Sequence, residues 1–152
     1  MGAARFYHLT RSPVEAALPM LIGKSLEAGW RVAVRGMDEA RMRWLDEKLW
    51  LGAEEGFLPH GLAGGPHDAD QPVLLTTAPE APNSAACLMA IDGAEVTAAE
   101  VAALERVCIL FDGNDPDALA GARAQWKLLT EAGASAQYWS EEEGPWRMKA
   151  ER

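Results

Sequence analysis

Short apolar runs alternate with amphipathic segments along most of this chain, and that alternation restricts its fold more than any other feature. RFYHL (Arg5–Leu9), RVAVR (Arg31–Arg35), PVLLTT (Pro72–Thr77), AACLMAID (Ala85–Asp92) and RVCILFD (Arg106–Asp112) have the length of strands. The last two are apolar almost throughout, as strands covered on both faces are. Between the runs lie segments with helical spacing. In SPVEAALPMLIGKSLEAGW, Val14, Ala17, Leu18, Leu21, Ile22 and Ser25 share one face, with Ser12 as cap and Pro13 at the first position. Pro19 lies inside this pattern and bends the helix or removes one backbone bond. Asp38 opens a second helix, with Met42, Leu45 and Leu49 on one face and Trp44 on a neighbouring one. Thr97 and Glu100 form a capping box for a third around Ala98–Leu104, and GNDPDALAGARAQWKLLTEAG makes a fourth that ends at Gly133. ASAQYWS and WRMK are terminal strands, while Leu51 to Pro72 reads as one long loop. The pattern predicts a single α/β domain over residues 1–152, with a twisted, mostly parallel central sheet flanked by helices.

Charge and cysteine usage narrow the function classes. A net charge of −9 opposes general affinity for nucleic-acid backbones. No apolar run approaches the roughly 20 residues of a membrane helix, and the amino terminus has no basic-then-apolar signal pattern. Cys87 and Cys108 each sit inside an apolar run and read as buried, reduced thiols, so the expected compartment is the cytoplasm. Six tryptophans against three phenylalanines fit either a large core or a recognition surface.

Four stretches could carry chemistry. LIGKS (Leu21–Ser25) ends like a phosphate-binding loop, but it lacks the upstream glycine and lies inside the first helix. Asp112 and Asp115, in FDGND after a buried strand, could hold magnesium. Equally the stretch makes a turn and a helix cap, with Asn114 or Asp115 as the cap and Pro116 at the first helical position. FLPHGLAGGPHDADQP (Phe57–Pro72) gathers His60, His67, Asp68 and Asp70, but on a loop without regular structure to fix them as ligands. In the fourth helix Leu119, Ala122, Trp126 and Leu129 form an apolar stripe bordered by Arg123 and Lys127, one turn apart. Glu131 is placed to pair with Lys127. A cationic pair beside a tryptophan suits a short peptide that is both acidic and apolar, including one offering a terminal carboxylate. The same pattern also fits a core tryptophan flanked by two solvated cations.

Taken in order, FYHL, GWRVAVRGMDEARMRWLDEKLW, FLPHGLAGG, QPVLLTT, LMAI, ILFDG, ARAQWKLLTEAG and QYW resemble the chi subunit of bacterial DNA polymerase III holoenzyme over nearly the whole chain. That resemblance implies an α/β fold like that of nucleotide-binding domains, without a functional phosphate loop, without a cofactor and without catalytic activity. It implies a replisome adapter that binds the acidic, phenylalanine-ended C-terminal tail of single-stranded DNA-binding protein. It also implies contact with the psi subunit and, through psi, with the clamp loader, so that DNA is reached only indirectly. By matching positions, Arg123, Trp126 and Lys127 form the tail site, and Trp50 and Phe57 belong to the psi-facing surface. Where some relatives carry another basic residue one turn before the arginine, this chain has Leu119. The competing reading is a metal- or nucleotide-dependent enzyme built on the 57–72 loop with His60, His67, Asp68 and Asp112.

Overall fold

A computed structural model describes residues 2–51, 60–78, 82–141 and 146–152; the side chains of residues 50 and 51 lie outside that description. Among the described residues, eight strands and four α-helices follow one another as β1 (Ala3–Leu9), α1 (Val14–Glu27), β2 (Val32–Arg35), α2 (Glu39–Leu51), β3 (Gly61–Leu62), β4 (Val73–Thr76), β5 (Cys87–Ala90), α3 (Ala98–Ala103), β6 (Arg106–Asp112), α4 (Pro116–Glu131), β7 (Ser135–Ser140) and β8 (Arg147–Glu151). The strands form a single sheet in the order β3-β4-β2-β5-β6-β1-β7-β8. All pairings are parallel except β7 with β8, which is antiparallel. The expected α/β architecture, mostly parallel and flanked by helices, is therefore the one the chain adopts.

The near-continuous apolar strands follow from burial on both faces. One face packs Tyr7, Leu9, Val34, Met89 and Leu110 against Leu18 and Ile22 of α1 and Met42 and Leu45 of α2. The other packs Phe6, Leu88, Ile109 and Phe111 against Val101 of α3 and Ala122 and Leu129 of α4. β8 is exposed along its length and carries Arg147, Lys149 and Glu151, which keeps a free sheet edge from pairing with other chains.

Local signals behave as the chain predicts where the partner is close in sequence. The Thr97 hydroxyl and the Glu100 side chain form the reciprocal capping box of α3. Asp38 accepts the Arg41 N–H at 3.0 Å, and Asp115 accepts the Asp117 N–H at 3.0 Å, with Pro116 following it. Pro19 sits within α1 without ending it. Two expectations change. Ser12 does not cap α1: Pro13 holds that position, because the Ser12 hydroxyl donates to Glu141 at 3.0 Å instead. The 51–72 stretch is not all loop, since Gly61 and Leu62 add a two-residue strand beside Leu74 and Leu75.

Candidate functional site

The site elements meet along α4. Its buried stripe, Ala122 and Leu129, anchors the helix on β6 and β7, which leaves the flanking positions to define the outer surface. Trp126 is half-buried at this margin. Its ring stands edge-on to Phe6, with centroids 5.4 Å apart, and edge-on to Tyr138 at 6.0 Å. Both contacts fall in the favoured range for aromatic pairs. Tyr138 is fixed in turn by its hydroxyl, 2.9 Å from His8 Nδ1. The indole is therefore a rigid wall with one side open rather than a mobile surface group.

Arg123 and Lys127 are exposed one turn apart beside that wall. Glu131 does not pair with Lys127, and no ion pair with a described residue neutralises either cation. Two like charges at this spacing repel mildly, and an anionic partner relieves the repulsion. Leu128, exposed to 65%, lies on the other border of α4, about 200° from Trp126 around the helix, and lines a separate cleft. The arrangement can therefore hold a carboxylate on the planar Arg123 fork while an apolar side chain lies against Trp126.

The other proposed partner surface is less fully visible. Trp50 falls in the last turn of α2, but its side chain lies outside the described residues, as does Phe57 altogether.

The histidines and aspartates of the enzyme reading do not converge. His60 is buried at 4% exposure, with Nε2 3.1 Å from Asp46 Oδ1 and 3.2 Å from the Asp46 carbonyl oxygen; it ties the start of β3 to α2. Asp68 accepts the N–H groups of Gly64 and Gly65 at 2.9 and 3.0 Å, which is turn formation. His67 and Asp70 are exposed. Asp112 lies at the end of β6, where it accepts the Asn114 N–H at 2.9 Å. β3 and β6 are four strand spacings apart in the sheet, on the order of 19 Å, so His60 and Asp112 serve different ends of the molecule. Among the described residues, no three His, Cys, Asp or Glu side chains are grouped to hold a metal ion. Cys87 and Cys108 are buried and free. The Cys108 thiol donates to Cys87, and that bond together with burial pushes it well above its ordinary pKa, so it is no nucleophile.

LIGKS is helical, with Ser25 buried and its hydroxyl donating to the Leu21 carbonyl at 3.0 Å. The position where doubly wound folds bind ligands is elsewhere, at the carboxyl ends of β1 and β6, whose following helices pack on opposite faces. A cleft of about 1320 Å³ opens there. Its walls carry Glu15, Asp92, Glu95, Asp112, Asp115 and Asp117 against Arg11 and Arg41, an excess of negative charge that opposes a nucleotide. At the β1–α1 turn the backbone N–H groups of Thr10, Arg11 and Ser12 point at one oxygen of Glu141, at 3.1, 2.9 and 2.7 Å. The amides available to cradle a phosphate in this fold are thus held by the chain's own carboxylate.

A family model described as DNA polymerase III chi subunit, HolC, matches residues 1–137. A curated protein of Rickettsia prowazekii (strain Madrid E), described as "Probable DNA polymerase III subunit chi", is 27% identical over 90 residues, covering 59% of this chain and 54% of that protein. The match thus spans about half the length of that relative. None of the described helices is long and apolar enough to cross a membrane.

Proposed function

The chain belongs to the DNA polymerase III chi subunit family, and from that membership we propose that it works in DNA replication as a non-catalytic adapter that binds the acidic, phenylalanine-ended C-terminal tail of single-stranded DNA-binding protein. The observation that carries the reading is the pair of exposed cations, Arg123 and Lys127, one turn apart beside the half-buried Trp126. The terminal carboxylate and the tail aspartates lie on the two cations, and the phenylalanine ring packs on the open side of the indole. The net charge of −9 supports this division of labour. A local cationic site captures an acidic tail, while the rest of the surface repels the DNA that the partner already covers.

A second docking surface, with Trp50 and Phe57 at the end of α2 and beyond it, holds psi and through psi the clamp loader. This part rests on the family pattern at those two positions. Pull-down of psi by wild-type protein and by the Phe57→Ala variant tests it, and a helicase retained in place of psi would reassign the surface.

Titration of the full chain with an acidic peptide ending in Pro-Phe tests the tail site. Micromolar-scale binding that weakens with salt is expected, and Arg123→Ala should abolish it. Binding unchanged by that substitution would place the tail elsewhere.

A further inference from the structure

The face of the sheet opposite α4 carries a separate cluster of cations. Residue alternation points Arg5 and Tyr7 of β1, Arg106 and Cys108 of β6, and Trp139 of β7 to the α1 side. There they enclose a small pocket with Lys24 of α1 and with Trp146, which precedes β8. None of the ten described residues that line it is acidic, although acids outnumber bases 23 to 14 in the chain. Arg5, Lys24 and Arg106 make no ion pair with any described residue. The Arg106 guanidinium lies 4.9 Å from the centroid of Trp30, and that of Arg5 lies 6.0 Å from the centroid of Trp139. Those ring contacts orient the two forks but leave their charge, and that of Lys24, uncompensated by any described residue.

We propose that this pocket binds a phosphate-type oxyanion, as the free ion or as a phosphomonoester. Charge and volume decide the ligand class. A carboxylate offsets one of the three cations, whereas a phosphate monoester brings close to two negative charges and three strong acceptor oxygens. The pocket volume is about 120 Å³, room for a small ion and well below the roughly 300 Å³ at which pockets begin to enclose whole small molecules. In a monoester the organic part stays outside, past the exposed Lys24 and Met20. Burial raises the Tyr7 pKa, so its hydroxyl stays protonated and able to donate. The site is independent of the tail site, because Arg123 and Lys127 lie on the helix packed against the other face.

Titration of the full chain with sodium phosphate, against sodium chloride at matched ionic strength, tests the proposal. The indole N–H resonances of Trp139 and Trp146 report on the pocket. Saturable shifts with phosphate and none with chloride are expected. Arg106→Gln should weaken binding by at least about tenfold, and Lys24→Gln should weaken it less, while Arg123→Ala leaves it unchanged. Lys24 is exposed on a helix, so its variant keeps the test valid even if Arg106→Gln fails to fold. Glycerol phosphate separates the two sources: binding at least as tight as that of the free ion assigns the pocket to esters, and binding of inorganic phosphate alone assigns it to the ion. Equal shifts with chloride, acetate binding as tight as phosphate, or undiminished phosphate binding by both pocket variants would overturn the proposal.

Discussion

The carboxylate of Glu141 accepts the Ser12 N–H at 2.7 Å and the Ser12 hydroxyl at 3.0 Å, across 129 residues of sequence. Through this contact the residue after β7 locks the turn between β1 and α1. The same carboxylate also satisfies the N–H groups of Thr10 and Arg11. It does for the turn what a bound anion does at the corresponding turn of nucleotide-binding folds.

Glu141→Ala should therefore destabilise the fold well beyond an ordinary surface substitution. Hydrogen bonds to a charged group contribute about 1.5–3 kcal/mol, so a loss of about 2 kcal/mol is expected after water replaces part of the cluster. For a chain of this length that lowers Tm by roughly 4–8 °C. A thermal melt checks it, and Glu141→Gln, which retains one acceptor oxygen, should recover part of the loss.

The acid limb of the stability profile should depend on the same residue. Burial acts to raise the Glu141 pKa, but the hydrogen bonds from Ser12, Arg11 and Thr10 outweigh it and hold the group below the ordinary glutamate range. Glu100 is lowered too, chiefly by its hydrogen bond from the buried Arg35. A carboxyl whose folded pKa is depressed stabilises the fold above its unfolded value, about 4.3, and loses that contribution as pH falls through the folded value. Denaturant melts from neutral pH downward should show stability falling below that point. In Glu141→Gln the fall should be shallower, and its difference from wild type should shrink as the medium becomes acidic. Parallel curves for the two proteins would rule out this linkage.

How much of this was legible in the sequence depended on distance along the chain. The Thr97–Glu100 box, the Asp115 cap and the face shared by Arg123, Trp126 and Lys127 are set by residues a few positions apart, where helical spacing is decisive. Ser12 reads as a cap because its partner, Glu141, is 129 residues away in sequence, just past the neighbouring strand β7, and leaves no local trace. Gly61–Leu62 is too short to show a strand period. The meeting of Arg5, Lys24 and Arg106 requires the register of β1 against β6 and the placement of α1, neither of which any single segment encodes.

Two glycines should respond in opposite directions to alanine. A Cβ on Gly113 would come within 1.7 Å of His8 Cδ2. The His8 ring has little freedom to retreat, since it stacks on Phe111 with centroids 5.2 Å apart and meets the Tyr138 hydroxyl. Overpacking of this kind costs about 1–3 kcal/mol, so Gly113→Ala should lower Tm by several degrees. Gly121, inside α4, has nothing within 4 Å of its added Cβ. Gly121→Ala should stabilise the protein by about 0.5–1 kcal/mol through helix propensity. Matched thermal melts compare them, and a shift in the same direction for both would contradict the packing at His8.

Stability and tail binding should separate along α4. Arg123 and Lys127 are exposed and make no ion pair with a described residue, so Arg123→Ala and Lys127→Ala should each change stability by no more than about 0.5 kcal/mol. If the adapter reading holds, Arg123→Ala should abolish binding of the acidic peptide and Lys127→Ala should remove most of it, and added salt should weaken binding in wild type. Trp126 has two roles at once. Its packed edge supports Phe6 and Tyr138, while its open side faces the proposed ligand. Trp126→Ala should therefore cost about 2 kcal/mol, less than a fully buried tryptophan because the residue is only half-buried, and should also weaken the peptide. Trp126→Phe keeps an aromatic wall and should restore most of the stability together with part of the binding. Peptide affinity that tracks only the melting temperature across all four variants would make Trp126 a core residue alone and leave the cations without a role in recognition.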